Sequence, residues 1–215
     1  MAALLLNITD LYCERDDRVL FEDLSFTLNS GQILQLVGKN GSGKTSLLRI
    51  LCGLYHAYEG SVKFLGHEID EDRDSFHRSL TYIGHHVSVK AGLTTQENLR
   101  WYAKIHPQLD VQRIESALAS VGLAGYEDVV CQNLSAGQKR RVNLARLFML
   151  PSTAFANSLW ILDEPFTAID VQGVAELENK ILEYSRAGGA VILTTHQALQ
   201  ISENVSQLNL DNWGT

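Results

Sequence analysis

The stretch GKNGSGKT, Gly38–Thr45, decides the fold class. It fits G-x-x-x-x-G-K-[ST] without a mismatch, and its surroundings suit that motif. Before it runs QILQLVG, a short continuous apolar run of the kind that forms a buried parallel strand. After it comes KTSLLRILCGL, a helix that should stop near Gly53. Glycines let such a turn wrap until its backbone N–H groups face one point, and the helix N-terminus adds positive potential there. Gly38, Lys39, Asn40, Gly41, Ser42, Gly43, Lys44, Thr45 and Ser46 are therefore the candidate nucleotide-binding residues. Lys44 suits a bridge between β- and γ-phosphates, and the Thr45 hydroxyl suits Mg²⁺.

A second apolar run, LWILDEP, puts Asp163 and Glu164 just past a strand end. Parallel sheets bind ligands at the carboxyl ends of their strands, where this pair would meet the phosphate loop. Asp163 suits Mg²⁺ held through water, and Glu164 suits a general base on the attacking water. Without the phosphate loop, the pair would read as a solvated acidic turn. AVILTT is a further strand, and GVAELENKILEYSRAGG a helix with Val174, Leu177 and Ile181 in register. LLLNITDLYC, VLFEDLSFTL and GSVKFLG read as strands. Strands alternating with helices at both ends imply an α/β fold with a parallel sheet.

The middle of the chain is helical and reads as an insertion. Thr94 and Glu97 have the spacing of a capping box before NLRWYAKIH. Asp110 can cap VQRIESALASVGL, where Ile114, Ala117, Leu118 and Val121 share a face. Trp101 and Tyr102 read either as core of this insertion or as a seat for a partner. In LSAGQKRR, Leu134–Arg141, Ser135 reads as an N-cap, and Ala136 and Gly137 leave the helix start uncovered. That is a second anion site by the same physics. One nucleotide does not need two such sites from one chain; a head-to-tail dimer does. The plainer reading is a capped surface helix.

At 215 residues the chain can bury one sizeable core. It is 45% hydrophobic and 20% charged, ordinary for a soluble globular protein. A formal net charge of −7 argues against a nucleic-acid partner. Cys13, Cys52 and Cys131 are odd in number and form no CxxC, so neither a disulfide framework nor a zinc site is expected. MAALLLNITD lacks the basic start of a signal peptide. No run approaches the ~18–20 apolar residues of a membrane span, so a membrane connection is expected through a partner.

Taken in order, the motifs resemble those of the ATP-binding-cassette (ABC) nucleotide-binding domains over essentially the whole chain. They run from the phosphate loop through a histidine-bearing central loop, LSAGQ and ILDEP to TAID, ending at Asp170, and TTH, ending at His196. The resemblance implies one domain, residues 1–215, with a P-loop NTPase core of RecA type. It adds an antiparallel β element and a helical subdomain over about Thr94 to Leu150. It also implies ATP, Mg²⁺ and a nucleotide-sandwich dimer of two copies. Lys44, Glu164 and His196 would be catalytic, with His196 at the γ-phosphate. Ser135, Ala136, Gly137 and Gln138 would close on the other copy's nucleotide, and Asp170 would signal across the interface.

Three positions depart from the family pattern. Ala136 replaces a glycine, which a helical backbone tolerates. Arg15 stands where the family stacks an aromatic ring on adenine. A guanidinium plane can stack similarly, and Tyr12 is the neighbouring alternative. In YIGHHVSVK, counting back from Glu97 puts His85 at the family's loop glutamine, near Mg²⁺ and the attacking water. A neutral imidazole makes an amide-like hydrogen bond. Thr45, His85 and Asp163 then form the metal-side set, and His86 is a surface or packing residue. A metal or haem site built on His85 and His86 would need ligands that the sequence does not place.

RRVNLARL after LSAGQ, YIGH in the central loop and ERDDRVLF upstream resemble the ATP-binding subunits of cytochrome c maturation systems. That resemblance implies an integral membrane permease subunit and a place at the cytoplasmic face of the inner membrane. The energy would serve haem export or release of a haem chaperone, and both stay open. The alternatives are the ATPase of another ABC transporter and a soluble ABC protein acting on DNA or ribosomes. The latter would call for a long coiled-coil insertion or a second cassette, and the sequence has neither.

Overall fold

The computed structural model describes residues 3–151 and 155–214. Three apolar runs form the middle of one sheet: β3 (Ile33–Val37), β7 (Leu159–Asp163) and β8 (Ala190–Thr194). β7 and β8 are buried at every residue, as strands covered on both faces must be. With β6 (Leu80–Ile83) and β9 (Val205–Asn209) the order is β6-β7-β8-β3-β9, every neighbouring pair parallel. The carboxyl ends of β3, β6, β7 and β8 therefore open on one edge. They carry the phosphate loop, His85, Asp163–Glu164 and Thr194–His196 respectively.

The expected antiparallel element is a second sheet, in the order β2-β1-β4-β5. Its strands are β1 (Leu4–Arg15), β2 (Arg18–Asn29), β4 (Glu59–Phe64) and β5 (His67–Glu68). Asp16 and Asp17 make the two-residue turn between β1 and β2, with φ of 52° and 57°. Leu6, Ile8, Phe21 and Leu24 share a hydrophobic cluster with Leu47, Leu48 and Leu51 of α1 (Lys44–Leu51). Eight residues make a marginal helix alone, so this packing holds it.

The second cluster joins the other face of the sheet to α3 (Thr95–Ile105), α4 (Ile114–Ser120), α5 (Ala136–Phe148) and α6 (Val171–Arg186). Thr94 and Glu97 form the expected capping box, worth about 1 kcal/mol. Ile114, Ala117, Leu118 and Val121 are all buried, as their spacing predicts. Asp110, however, caps a single 3₁₀ turn, Val111–Arg113, and α4 proper starts at Ile114. Trp160 stacks on Tyr184 at 3.8 Å with Phe155 edge-on to both. Loss of a buried ring of this size costs about 3–5 kcal/mol.

The pattern does not announce β5, α2 (Arg73–Ser79), β6 or β9. α2 is capped by Asp72 and buries only Phe76. β9 lies at the sheet edge with no fully buried residue, so it leaves no apolar run to read. Among the described residues no helix is long and apolar enough to cross a membrane.

Candidate nucleotide-binding site

Gly43 turns the chain into α1 at φ 94°, where a Cβ would come within 3.1 Å of the Leu20 side chain and 3.3 Å of Phe21. No side chain caps α1 and no acid lies in its first turn. The backbone N–H groups at its start thus keep their capacity for an anion. Lys44, Thr45 and Ser46 line a cleft of about 490 Å³, together with Asn40, Gly41 and Gly43. Lys44 Nζ reaches back to the carbonyls of Gly38 at 2.7 Å and Lys39 at 2.9 Å. Gly38, Lys39 and Ser42 do not line the cleft. They build the loop from behind, where Lys39 N–H donates to Asp211 Oδ1 at 3.0 Å.

The opposite wall comes from β7 and β8. The Asp163 carboxylate is 3% exposed, and both its oxygens accept from hydroxyls. Thr194 Oγ1 donates to Oδ1 at 2.8 Å and Thr45 Oγ1 to Oδ2 at 3.3 Å. Thr45 and Asp163 are hard oxygen donors beside an anion-binding loop, and that set fits Mg²⁺. Thr194 Oγ1 also accepts the Glu164 N–H at 2.9 Å. Glu164 itself sits at φ 52°, a left-handed conformation that costs a non-glycine residue about 1–3 kcal/mol. Its Oε1 lies 3.5 Å from Nε2 of the exposed His196.

His85 reaches the same cleft from the end of β6. It is exposed, as is His86, and the two rings meet edge-on at 5.7 Å. Among the described residues no group of three or more His, Cys, Asp or Glu could hold a metal ion. Arg15, Asp16, Arg18 and Leu20 close the outer end of the cleft from the β1–β2 hairpin. None of the described residues lining it has a Phe, Tyr or Trp ring. Tyr12 donates its hydroxyl to Glu14 Oε2 at 2.7 Å and is not part of that wall.

The LSAGQ segment lies outside the cleft. Ser135 caps α5, and Gln138 completes a capping box by accepting the Ser135 N–H at 2.9 Å. Ala136 is the first helical residue and exposed, so its extra methyl is harmless to the fold. At Gly137 a Cβ would stand 3.1 Å from the Ala168 carbonyl oxygen, so the helix start lies against the loop before Asp170. Asp170 caps α6 through the Gly173 N–H at 2.8 Å and lies 3.7 Å from Arg141 Nη1. The motifs single out neither Arg18, Leu20 nor Arg140. Arg140 stands in the run Lys139-Arg140-Arg141, yet it is 5% exposed.

The family model described as ABC transporter matches residues 21–167. The cytochrome c biogenesis ATP-binding export protein CcmA of Aliivibrio fischeri is 49% identical over 200 residues, which is 93% of this chain and 96% of that protein. CcmA 1 of Salmonella typhimurium is 50% identical over 211 residues, 98% of each chain. A solved ABC transporter ATP-binding protein from Pyrococcus furiosus superposes with a TM-score of 0.79 at 25% identity, over 98% of this chain and 99% of that one. The solved ATP-binding subunit of an ABC transporter shares the fold, with a TM-score of 0.78 at 24% identity over 89% of this chain and 79% of that one. With these motifs in this order on this fold, the chain belongs to the ABC transporter family as an ATP-binding subunit, among the cytochrome c biogenesis ATP-binding export proteins.

Proposed function

We propose that this subunit binds ATP between two copies of itself and hydrolyses it to drive a membrane complex in c-type cytochrome biogenesis. The supporting observation is the convergence of Lys44, Thr45, His85, Asp163, Glu164 and His196 on one cleft from four strand ends. The loop N–H groups hold the phosphates, and Lys44 exchanges its two carbonyl partners for β- and γ-phosphate oxygens. Thr45 and Asp163 would hold Mg²⁺, which when bound would neutralise charge on the phosphates. Glu164 takes the proton of the attacking water, and His196 contacts the γ-phosphate. Arg15 covers adenine with its guanidinium plane. Ser135 to Gln138 and Asp170 serve the nucleotide of the other copy. The whole chain acts as one ABC domain, with residues about 94–150 as its helical subdomain.

His85 hydrogen-bonds the attacking water. Glutamine makes a similar bond, so His85→Gln should keep most stimulated turnover while His85→Ala loses coupling to the membrane partner. Turnover, haem absorbance and metal content of the two variants check this. Equal inactivity with loss of bound haem or metal in both would make His85 a ligand instead.

The partner is an integral membrane permease, met at the cytoplasmic face of the inner membrane. Trp101 is 36% exposed and Ile105, four residues on along α3, is 51% exposed, so they form an apolar pair on one helix face. Tyr102 is instead core: its hydroxyl donates to the Ser88 carbonyl, and Arg146 lies 4.1 Å from its ring centre. Trp101→Ala should weaken membrane association more than ATP binding. Equal membrane retention of variant and wild type in a flotation assay would sink that seat. Affinity purification from membranes should recover the permease, and cells lacking this chain should lose c-type cytochromes. Recovery of a permease for another cargo, with c-type cytochromes intact, would overturn the cytochrome assignment and leave the ATPase chemistry standing.

A further inference from the structure

Arg140 sits on α5 five residues after the capping Ser135, and its side chain is buried. Its guanidinium spans three backbone carbonyls. Nη1 donates to Gly84 at 2.6 Å, and Nη2 donates to Asp163 at 2.8 Å and to Glu164 at 2.9 Å. Gly84 directly precedes His85, and the other two carbonyls frame the turn that aims the Glu164 carboxylate. Arg140 does not line the nucleotide cleft.

The left-handed turn at Glu164 is held from two sides. Its N–H is fixed by Thr194, which belongs to the sheet. Its carbonyl is fixed by Arg140, which belongs to α5. A buried guanidinium is costly, and the Nε–H of Arg140 meets no partner among the described residues, so an apolar side chain would serve packing better. The planar fork suits three carbonyls at once, which a lysine's point charge does not. Burial lowers the Arg140 pKa while the charges of Asp163 and Glu164 raise it. Arg146, further along α5, donates to the Tyr82 carbonyl at 3.2 Å, so the helix grips the end of β6 at two points.

We propose that Arg140 is a positioning residue that ties the Glu164 and His85 loops to α5, so that displacement of the Ser135 end of this helix changes the aim of Glu164. The proposal rests on the assignment of Glu164 as the base. It makes hydrolysis sensitive to the helix whose start would face the other copy's nucleotide, without contact between Arg140 and the nucleotide.

The test uses the full chain with Arg140→Gln, Arg140→Lys and Glu164→Gln, and the double variant Arg140→Gln/Glu164→Gln. Thermal melting, binding of a fluorescent ATP analogue, KM and kcat are measured for each. Arg140→Gln should lower kcat about 10–100-fold, the size expected from a small misplacement of a catalytic group, with nucleotide affinity and KM unchanged. Arg140→Lys should recover part of the loss. In the Glu164→Gln background, Arg140→Gln should cost much less than in the wild type, because most of its effect passes through the missing carboxylate and only the tie at Gly84 remains. Wild-type kcat in Arg140→Gln would overturn the proposal. So would a parallel fall in melting temperature, affinity and kcat in both single Arg140 variants, which marks a core role only. A full additive loss in the double variant would overturn it as well. An active Glu164→Gln single variant would sink the base assignment itself, and that result is read before the others.

Discussion

Glu164→Gln is expected to bind ATP as the wild type does and to lose about 10²–10⁴ in turnover, the usual share of a positioned general base. The Glu164 side chain is 17% exposed and faces the cleft beside His196. Glutamine keeps its size, and the main-chain bonds to Thr194 and Arg140 do not involve the side chain, so the left-handed turn should persist. The amide cannot take up the proton of the attacking water. Lys44, Thr45 and Asp163 are untouched, so the phosphates should still bind. ATP should then hold the variant as a dimer, visible as a shift in size-exclusion chromatography with nucleotide present. Near-normal turnover would remove Glu164 from the chemistry.

Ser135→Arg should abolish hydrolysis while leaving nucleotide binding by the single chain almost intact. Ser135 is exposed and lies outside the cleft that its own chain offers to a nucleotide. Loss of its hydroxyl removes a cap worth about 1 kcal/mol, too little to unfold a domain of this size. The long cation instead obstructs the face that would meet the other copy. Mixing with Lys44→Ala provides the decisive check. A mixed dimer contains one site with the normal Lys44 of one chain and the normal Ser135 of the other, so activity should return. Mixed dimers that form and stay inactive would count against shared sites.

Several parts of this architecture are plain in the residues alone. β3, β7 and β8 are legible because strands buried on both faces are mostly apolar, with Gln35, Asp163 and Thr194 as the buried polar exceptions. The phosphate loop is legible because its glycines and its Lys-Thr pair serve backbone and phosphate chemistry that few other residues can. Thr94 and Ser135 are legible because a helix start needs an oxygen at a fixed spacing. Edge elements leave weaker marks. β9 is half in water and α2 buries one side chain, so neither needs a repeating pattern. Trp101 and Tyr102 are adjacent and similar in type, yet one faces out and the other is core, and only the packing of α3 on α5 separates them.

By itself, the sequence determined the α/β class, the order of the motifs and the chemistry each could perform, because these depend on residue type and short spacing. The tertiary structure decided which of those residues share one space. It brings Thr45 and Asp163 within 3.3 Å across 118 positions of chain, and it leaves Ser135 to Gln138 and Asp170 outside that cleft. It also decided the role of Arg140, one of three consecutive cations, by turning it inward onto Gly84, Asp163 and Glu164. Periodicity registers which face of a helix is apolar, but three backbone carbonyls from two distant strand ends leave no trace in it. Only the packing of α5 on the sheet makes them a site for a buried guanidinium.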